Sequence, residues 1–515
     1  MTKGFLVSYI FIKLAIKNML NLITNQQMRQ ADTYTCQHLN IESVELMEQA
    51  AKAFVELFIK YSLSDKEISI VAGKGNNGGD GLAIARLLHE KGYKHIKVYI
   101  LEKFNSASKD FSINLEKLQT LNIPIVYCYS LHDLPSTFDV VVDAVLGSGF
   151  NRALDSFFAA VFRHINESSN FIVSVDVPSG CPADTFDIES YDGIHAHLTI
   201  CFQRPKLFFT LPESHKVTDD FKTVSIGLCE DYLQSIPSDY FWIDKGYVTA
   251  LLPCRKKFSH KGSYGHVLVY SGTKTMRGAS LLASKAAVKM GAGRTTLLTD
   301  AEFFPFANVF LPELMTADIG RLNDLNFDKF SAIAIGPGLG ISETSREHVL
   351  RLLKLKNPLV LDADALNVLS KEDLSGHPHL VITPHMNEFD RLFGKHKTWY
   401  ERLQSAKSFA QENGIVIVLK NQYTFICTPQ GKVFINSTGN PAMAQGGMGD
   451  VLTGCITALL ARGLKPEEAA VAGCYIHGFT ADLLAEQHEV VSPSLLTDNL
   501  SKAISLLKSG PHNIN

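Results

Sequence analysis

At 515 residues the chain exceeds one ordinary hydrophobic core, and about one domain per 150 residues suggests two or three, of which two large ones fit best. Apolar residues make up 46% and charged residues 20%, the balance of a soluble globular protein, and a formal net charge of −3 leaves no electrostatic footprint for nucleic acid. The nine cysteines form no CxxC pair and no metal-ligand spacing, so they read as reduced cytoplasmic thiols, and the partners read as small molecules.

The chain starts with an apolar run, Phe5 to Ile12, that continues through Lys13 and Lys17 to Leu22-Ile23. Two lysines break it too early for a membrane span and no small-residue cleavage site follows. It is read as an extension, residues 1–21, with Met19 as the natural start.

From about residue 65 to about residue 228, short apolar runs alternate with amphipathic stretches. The runs Ile68 to Ala72, His95 to Leu101, Ile123 to Val126, Asp139 to Asp143 and Phe171 to Asp176 have the character of buried parallel strands. Leu82 to Gly92 carries apolar residues at helical spacing, so the pattern predicts a doubly wound α/β sheet with its site at the C-terminal ends of the strands.

Three of those strand ends carry polar groups beside glycine. Gly73-Lys74-Gly75-Asn76-Asn77-Gly78-Gly79-Asp80-Gly81 follows the first strand and opens the helix, as an anion-accepting loop would. Its spacing is neither GxGxxG nor a P-loop. Asp143 runs into Ala144-Val145-Leu146-Gly147-Ser148-Gly149-Phe150, and Asp176 into Val177-Pro178-Ser179-Gly180. A single Asp at a strand end is ordinarily a helix cap. Three converging ends instead predict one crevice lined by Asn77, Asp80, Asp143, Asp176 and Ser179, whose oxygens suit a monovalent hard cation better than calcium.

Between about Tyr232 and Ser263 the alternation lapses into a basic connection, Arg255 to Gly262, and the boundary between domains 22–230 and 231–512 is placed before that connection, near 230–240. Strand-like runs resume at Gly265 to Tyr270, Ser331 to Ile335, Pro358 to Asp362, His379 to Thr383 and Ile415 to Leu419, predicting a second α/β domain. Gly336-Pro337-Gly338-Leu339-Gly340 after a strand is either a simple turn or a close approach to phosphate. Lys420-Asn421-Gln422-Tyr423-Thr424 is a hairpin by default, and in a functional role Lys420 neutralises phosphate.

The most informative segment is Gly439-Asn440-Pro441-Ala442-Met443-Ala444-Gln445-Gly446-Gly447-Met448-Gly449-Asp450, followed by a helical pattern from Val451. Glycines let backbone N–H groups form a cup, and the helix adds the positive end of its dipole. Asp450 in the mouth of such a cup is either an N-cap or a base that takes a proton from a hydroxyl attacking phosphorus.

The segments Gly75 to Gly81, Asp143 to Gly149 and Asp176 to Gly180, with Gln27-Met28-Arg29-Gln30-Ala31-Asp32 upstream, resemble the NAD(P)H-hydrate epimerase domain over about residues 22–228. The resemblance implies a Rossmann-like fold that interconverts the C6 epimers of hydrated NADH or NADPH and uses potassium. It places Asn76, Asn77, Gly78, Gly79, Asp80, Gly147, Ser148, Gly149, Phe150, Asn151, Arg152 and Ala153 on the dinucleotide. It gives potassium to Asn77, Asp143 and Ser179, and the substrate's acid/base contact to Asp176.

The second-domain segments, with His260 to His266, Arg277-Gly278-Ala279, Asp362 to Asn367 and Thr383 to Glu388, resemble the ADP/ATP-dependent NAD(P)H-hydrate dehydratase domain of the ribokinase-like superfamily, over about residues 240–510. That resemblance implies phosphorylation of the hydrate's hydroxyl and loss of phosphate to regenerate the dihydronicotinamide. Asp450 is then the base, with Ala279, Gly338 and His385 on the hydrate. Lys420, Asn421, Gln422, Tyr423, Thr424, Gly446, Gly447 and Gly449 hold the nucleotide, with magnesium on its phosphates and ADP as donor, ATP being the alternative. Ala442 and Met448 depart from the family pattern at positions usually held by glycine and by Ser or Thr, and Met448 puts rate or donor preference in question.

Together these expectations describe a cytoplasmic bifunctional repair enzyme, an isomerase and a lyase, forming a homo-oligomer and contacting neither nucleic acid nor membrane. Two rivals stand beside it. A ribokinase-like kinase for a vitamin precursor would leave a stable phosphate ester, and a nucleotide-sensing or protein-binding module would keep a pocket without turnover.

Overall fold

A computed structural model of the chain describes residues 19–104, 106–150, 154–181, 184, 188 and 191–509. The chain divides into two compact units, one of them Asn21–Ser238 and the other running from Asp239 onward. Among the described residues no helix is long and apolar enough to cross a membrane.

In the first unit the apolar runs become strands Ile68–Ala72 (β1), Ile96–Leu101 (β2), Ile125–Cys128 (β3), Phe138–Ala144 (β4), Ser169–Val175 (β5), Ala196–Phe202 (β6) and Thr218–Val224 (β7). They lie in the order β3-β2-β1-β4-β5-β6-β7, and every ladder is parallel. Period-two alternation sorts the side chains onto two faces. Ile68, Ile70, Val140 and Val142 pack with helices Asn25–Leu39 (α1), Ser43–Phe58 (α2) and Asn76–Glu90 (α3), whereas Val71 and Val141 pack with Ser156–Ser168 (α4).

Val71 lies opposite Asp143 and Asp143 opposite Ser174, so the ends of β1, β4 and β5 share one edge of the sheet. One local expectation needs correction. Helix α3 begins at Asn76, six residues before Leu82, so Asn76 to Asp80 form its first turns. The reason is close packing: a Cβ on Gly78 would lie 1.8 Å from the Gly73 carbonyl oxygen, a clearance only glycine allows.

The second unit contains strands Tyr240–Trp242 (β8), His266–Tyr270 (β9), Arg294–Thr299 (β10), Met315–Asp318 (β11), Ala332–Ile335 (β12), Leu359–Leu361 (β13), Leu380–Ile382 (β14), Val416–Leu419 (β15), Phe425–Cys427 (β16) and Val433–Ile435 (β17). Their order is β8-β17-β16-β15-β14-β13-β12-β9-β10-β11; β15-β16 and β16-β17 are antiparallel and the other ladders parallel. The stretch whose alternation lapses nonetheless holds β8, which at three half-buried residues is too short to show a period.

Val267, Val269, Ala334, Val360 and Val381 face helices Arg277–Lys289 (α5), Met448–Ala461 (α6), Pro466–Ala485 (α7) and Pro493–Lys508 (α8). Helix α6 is buried along nearly its whole length, and a Cβ on Gly454 would sit 2.2 Å from the Ala283 carbonyl oxygen of α5. Tyr270 pairs with Ile335, Ile335 with Leu361 and Leu361 with Ile382. The residues that follow, Gly336, Asp362 and Thr383, therefore emerge together.

Candidate active sites

In the first unit Asp143 is fully buried and accepts hydrogen bonds from the Ser179 hydroxyl at 2.5 Å, the Ser179 amide and the Ser174 hydroxyl, each at 2.8 Å, and the Val145 amide at 3.4 Å. Burial pushes its carboxyl above the usual range, and the Ser179 bonds oppose the shift. The Ser179 hydroxyl also accepts from the Leu146 amide at 2.8 Å, which ties the ends of β4 and β5 together. Asn77 is buried beside Gly147, where an added Cβ would lie 3.1 Å from its own, and its Nδ2 has no hydrogen-bond partner.

Asp176 follows β5 in the left-handed region, at φ 63°. Its Oδ1 accepts from the Phe202 amide at 3.1 Å and lies 3.3 Å from the Lys206 ammonium, which is buried. Burial pushes Asp80 well above the ordinary carboxylate range, helped by the charges of Asp176, Asp32 and Asp110. Burial likewise raises Asp32 to about 6, with Asp176 adding to the shift and Lys206 and Arg29 opposing it. The Arg29 guanidinium lies against Gly149, and the Asn25 side chain donates to the Ser148 carbonyl at 3.1 Å. Phe150 closes a turn on the Gly147 carbonyl, while Asn151, Arg152 and Ala153 lie outside the described residues.

The strand ends thus bring Asn77, Asp80, Asp143, Asp176 and Ser179 to one edge of the sheet, where Asp143 and Ser179 are fully buried. The crevice as read from sequence omits Lys206, and it gives Asp32 no place. Asp32 belongs to the upstream segment already marked by resemblance. Lys206 follows Arg204-Pro205 without a glycine turn, and no pattern pointed to it.

In the second unit the helix carrying Asp450 begins at Met448, so Asp450 is its third residue and not its N-cap. The N-cap is Gly447 at φ 101°, a conformation only glycine adopts without strain, and the amides of the first turn are left pointing out of the helix. Burial pushes the Asp450 carboxyl up to about 7; Asp362 adds to the shift, Lys420 opposes it, and Asp364 contributes in the same sense as Asp362.

Asp362, one residue past β13, is buried. It accepts from the Lys420 ammonium at 2.7 Å and from the Thr453 hydroxyl of α6 at 2.8 Å. Burial alone would raise its carboxyl, but the charge and hydrogen bond of Lys420, then Thr453 and Thr383, carry it below the usual range. Lys420 also lies 3.8 Å from Glu388; burial lowers the ammonium's affinity for its proton, and Asp362, Glu388 and Asp450 together more than reverse that. A Cβ on Gly449 would lie 3.4 Å from both Asp362 Oδ2 and Lys420 Nζ. The glycine turn therefore lies directly over the ion pair.

Asp364 accepts from the Gly340 amide at 2.8 Å and pins the turn containing Gly338, whose added Cβ would be 3.2 Å from that of Ala279. His385 caps helix Met386–Phe393, its Nδ1 accepting from the amides of Asn387 and Glu388 at 3.1 and 3.2 Å, with the ring half exposed. Lys420 to Thr424 form the hairpin between β15 and β16, and Thr424 donates to the Asn421 carbonyl at 3.0 Å. Asp482 accepts from the Gly439 amide and the Asn440 side chain, which fixes the start of the glycine-rich segment. Ala442 lies in a single helical turn and needs no positive φ, and Met448 belongs to the apolar core. Asp482 was not among the sequence-derived candidates, and Glu388 closed the Thr383 segment without a role of its own, because a carboxylate inside a helix carries no local signal of what it faces.

A family model described as NAD(P)H-hydrate dehydratase matches residues 267–505, and one described as YjeF-related protein N-terminus matches residues 43–208. The bifunctional NAD(P)H-hydrate repair enzyme Nnr of Coxiella burnetii is 33% identical over 472 residues, covering 90% of this chain and 95% of its own length. Among solved structures, a ribokinase-like superfamily protein from Enterococcus faecalis has a TM-score of 0.50 at 29% identity and covers 53% of this chain and 99% of its own. The ADP/ATP-dependent NAD(P)H-hydrate dehydratase from Bacillus subtilis, co-crystallized with ATP/Mg2+, is 33% identical, with a TM-score of 0.47 over 51% of this chain and 97% of its own.

Proposed function

This chain belongs to the family of bifunctional NAD(P)H-hydrate repair enzymes, and from that premise we propose how its own residues divide the work. The first unit epimerises hydrated NADH and NADPH at C6, and the second dehydrates the S hydrate at the expense of ADP. The observation that carries the assignment is Asp450, a half-buried carboxylate poised near neutrality within a turn of free amides.

In the second unit Asp450 takes the proton of the C6 hydroxyl as that oxygen attacks the terminal phosphorus of ADP and AMP leaves. Phosphate then departs with the C–O electron pair, and loss of a ring proton restores the dihydronicotinamide. Hydroxide would be a far poorer leaving group. The amides of Gly446, Gly447 and Gly449 stabilise charge on the transferring phosphoryl group, and the fixed ammonium of Lys420 adds positive potential beneath them. Lys420, Asn421, Gln422, Tyr423 and Thr424 hold the nucleotide, with ATP as a possible second donor. Ala279, Gly338 and His385 hold the hydrate, and magnesium bound together with the nucleotide would neutralise charge on its phosphates.

In the first unit Asp176 takes the proton of the C6 hydroxyl as the C6–N1 bond opens to an aldehyde and the ring nitrogen is protonated, and the reverse steps re-form that bond on the other face of the carbonyl. Asn76 to Asp80 and the segment Gly147 to Phe150 with Asn151, Arg152 and Ala153 hold the dinucleotide. Asp143, Ser179 and Asn77 would hold a potassium ion with the Asn77 amide turned so that its oxygen takes the place of the unpartnered Nδ2 and with the Ser179 hydroxyl proton turned away from Asp143; only one of the three groups is anionic, which suits a monovalent ion. When bound, the ion supplies fixed positive charge at the sheet edge.

A homo-oligomer is part of this reading, supported by the exposed apolar residues Phe306, Val309 and Phe310, and so is a cytoplasmic location, supported by nine unpaired thiols. The test of the reading is stoichiometry. One inorganic phosphate should appear for each NADH or NADPH recovered from S hydrate and ADP, whereas a stable phosphate ester would favour a vitamin-precursor kinase.

A further inference from the structure

We propose that Lys206 is a positioning residue for epimerisation, holding the Asp176 carboxylate in its working orientation and balancing its charge. The inference rests on the epimerase reading of the first unit.

Backbone strain marks the place. Five described non-glycine residues have positive φ, and two of them, Asn40 and Ser62, cap helices. Two of the remaining three, Asp176 at 63° and Gln203 at 61°, end the neighbouring strands β5 and β6. Left-handed conformations of this kind cost about 1–3 kcal/mol each and persist only where surrounding structure enforces them. Here the two turns bring one carboxylate and one ammonium together.

The turn after β6 is braced from behind. Arg204 is almost wholly buried, donates to the Gln203 carbonyl at 3.1 Å and pairs with Glu230 at 2.5 Å. Gln203 accepts from the Ile226 amide at 2.9 Å. With the backbone so held, Lys206 reaches Asp176 Oδ1 at 3.3 Å while only 4% exposed. An ammonium removed from water without a fixed counter-charge is strongly disfavoured, so burial of this lysine makes sense only as half of a pair.

The pair sits among further charges. Asp32 faces it from α1 with Arg29 beside Asp32, Asp80 faces it from α3, and the Cys201 thiol of β6 is kept neutral by burial. Burial weakens the hold of Lys206 on its proton, but Asp176, by its charge and hydrogen bond, and then Asp32 more than restore it, so the lysine stays charged. Beside two further carboxyls, Lys206 is the cation in direct contact with Asp176 and balances its charge. Asp176 Oδ1 is occupied by the Phe202 amide and Lys206, and the other oxygen is directed by them.

The full-length protein should be assayed without nucleotide, following R-to-S conversion by chromatographic separation of the hydrate epimers. Absence of conversion by the wild-type protein would refute the epimerase reading itself, before Lys206 is at issue. Given wild-type conversion, Lys206→Met should lower kcat about 100-fold with KM changed by less than about threefold. Lys206→Arg should recover to within about tenfold of wild type, and Asp176→Ala with Lys206→Met should be no slower than Asp176→Ala alone. If Lys206→Met fails to fold by circular dichroism, Lys206→Gln and Lys206→Arg provide the same comparison. An unchanged kcat, a loss confined to KM, or multiplicative effects in the double variant would overturn the proposal.

Discussion

Lys420 donates a 2.7 Å hydrogen bond to the Asp362 carboxylate, and this pair sets the charge that Asp450 meets. Burial and the Asp362 charge leave Asp450 half protonated near neutral pH, where a general base is most useful. The dehydration rate should therefore fall as pH drops through about 7. Asp362→Asn removes the repelling charge and releases Lys420 toward Asp450. Both effects favour the ionised base, so the acid limb of kcat/KM should move down by about one pH unit. A pH–rate profile of the two proteins checks it.

The same burial has a cost in stability. Because the folded state raises the Asp450 pKa from 3.8 to about 7, it binds more protons than the unfolded chain between those values. Stability then falls as pH rises through that window, and the full cost is present above it. Asp450→Asn should raise the melting temperature of the second unit at pH 8 by about 2–4 °C for each kcal/mol relieved, and leave it nearly unchanged at pH 4. Calorimetry at the two pH values measures the difference.

Asp176→Ala should abolish enzymatic conversion of R to S hydrate and leave dehydration of pure S hydrate intact. Loss of at least about 100-fold in epimerisation is expected for removal of a proton-transferring group. Separate time courses on the two purified epimers make the comparison.

Much of this arrangement was legible in the sequence because parallel strands end where the chain turns toward ligands. Asp143, Asp176 and the glycines around Asn77 each stand at such an end, and the aligned ladders bring them together. The glycine-rich approach to Asp450 was legible for the same reason, since only glycine admits the backbone at Gly447. The helix starts were misplaced because Asn76 to Gly81 and Met448 to Asp450 look like loop and are first turns. The ion pairs were hidden. Lys206 meets Asp176 thirty positions away and Lys420 meets Asp362 across two strands, so neither pair leaves a periodic trace. Tyr240–Trp242 escaped because its three residues are all half-buried and show no alternation.

Gly454 offers a test of packing apart from chemistry. Its Cα faces the Ala283 carbonyl so closely that Gly454→Ala must push α5 and α6 apart. The second unit should lose about 1–3 kcal/mol in chemical denaturation, the usual range for an overpacked core. Epimerisation should keep its wild-type rate.

The central claim is that the Asp450 carboxylate takes the hydroxyl proton during phosphoryl transfer. Its most direct test compares wild type with Asp450→Asn on purified S hydrate and ADP, following recovery of the near-ultraviolet absorbance of dihydronicotinamide. The account requires recovery with wild type and a loss of at least about 1000-fold with Asp450→Asn, while the same variant preparation still converts R to S hydrate. Recovery by Asp450→Asn at a rate near that of wild type would contradict it.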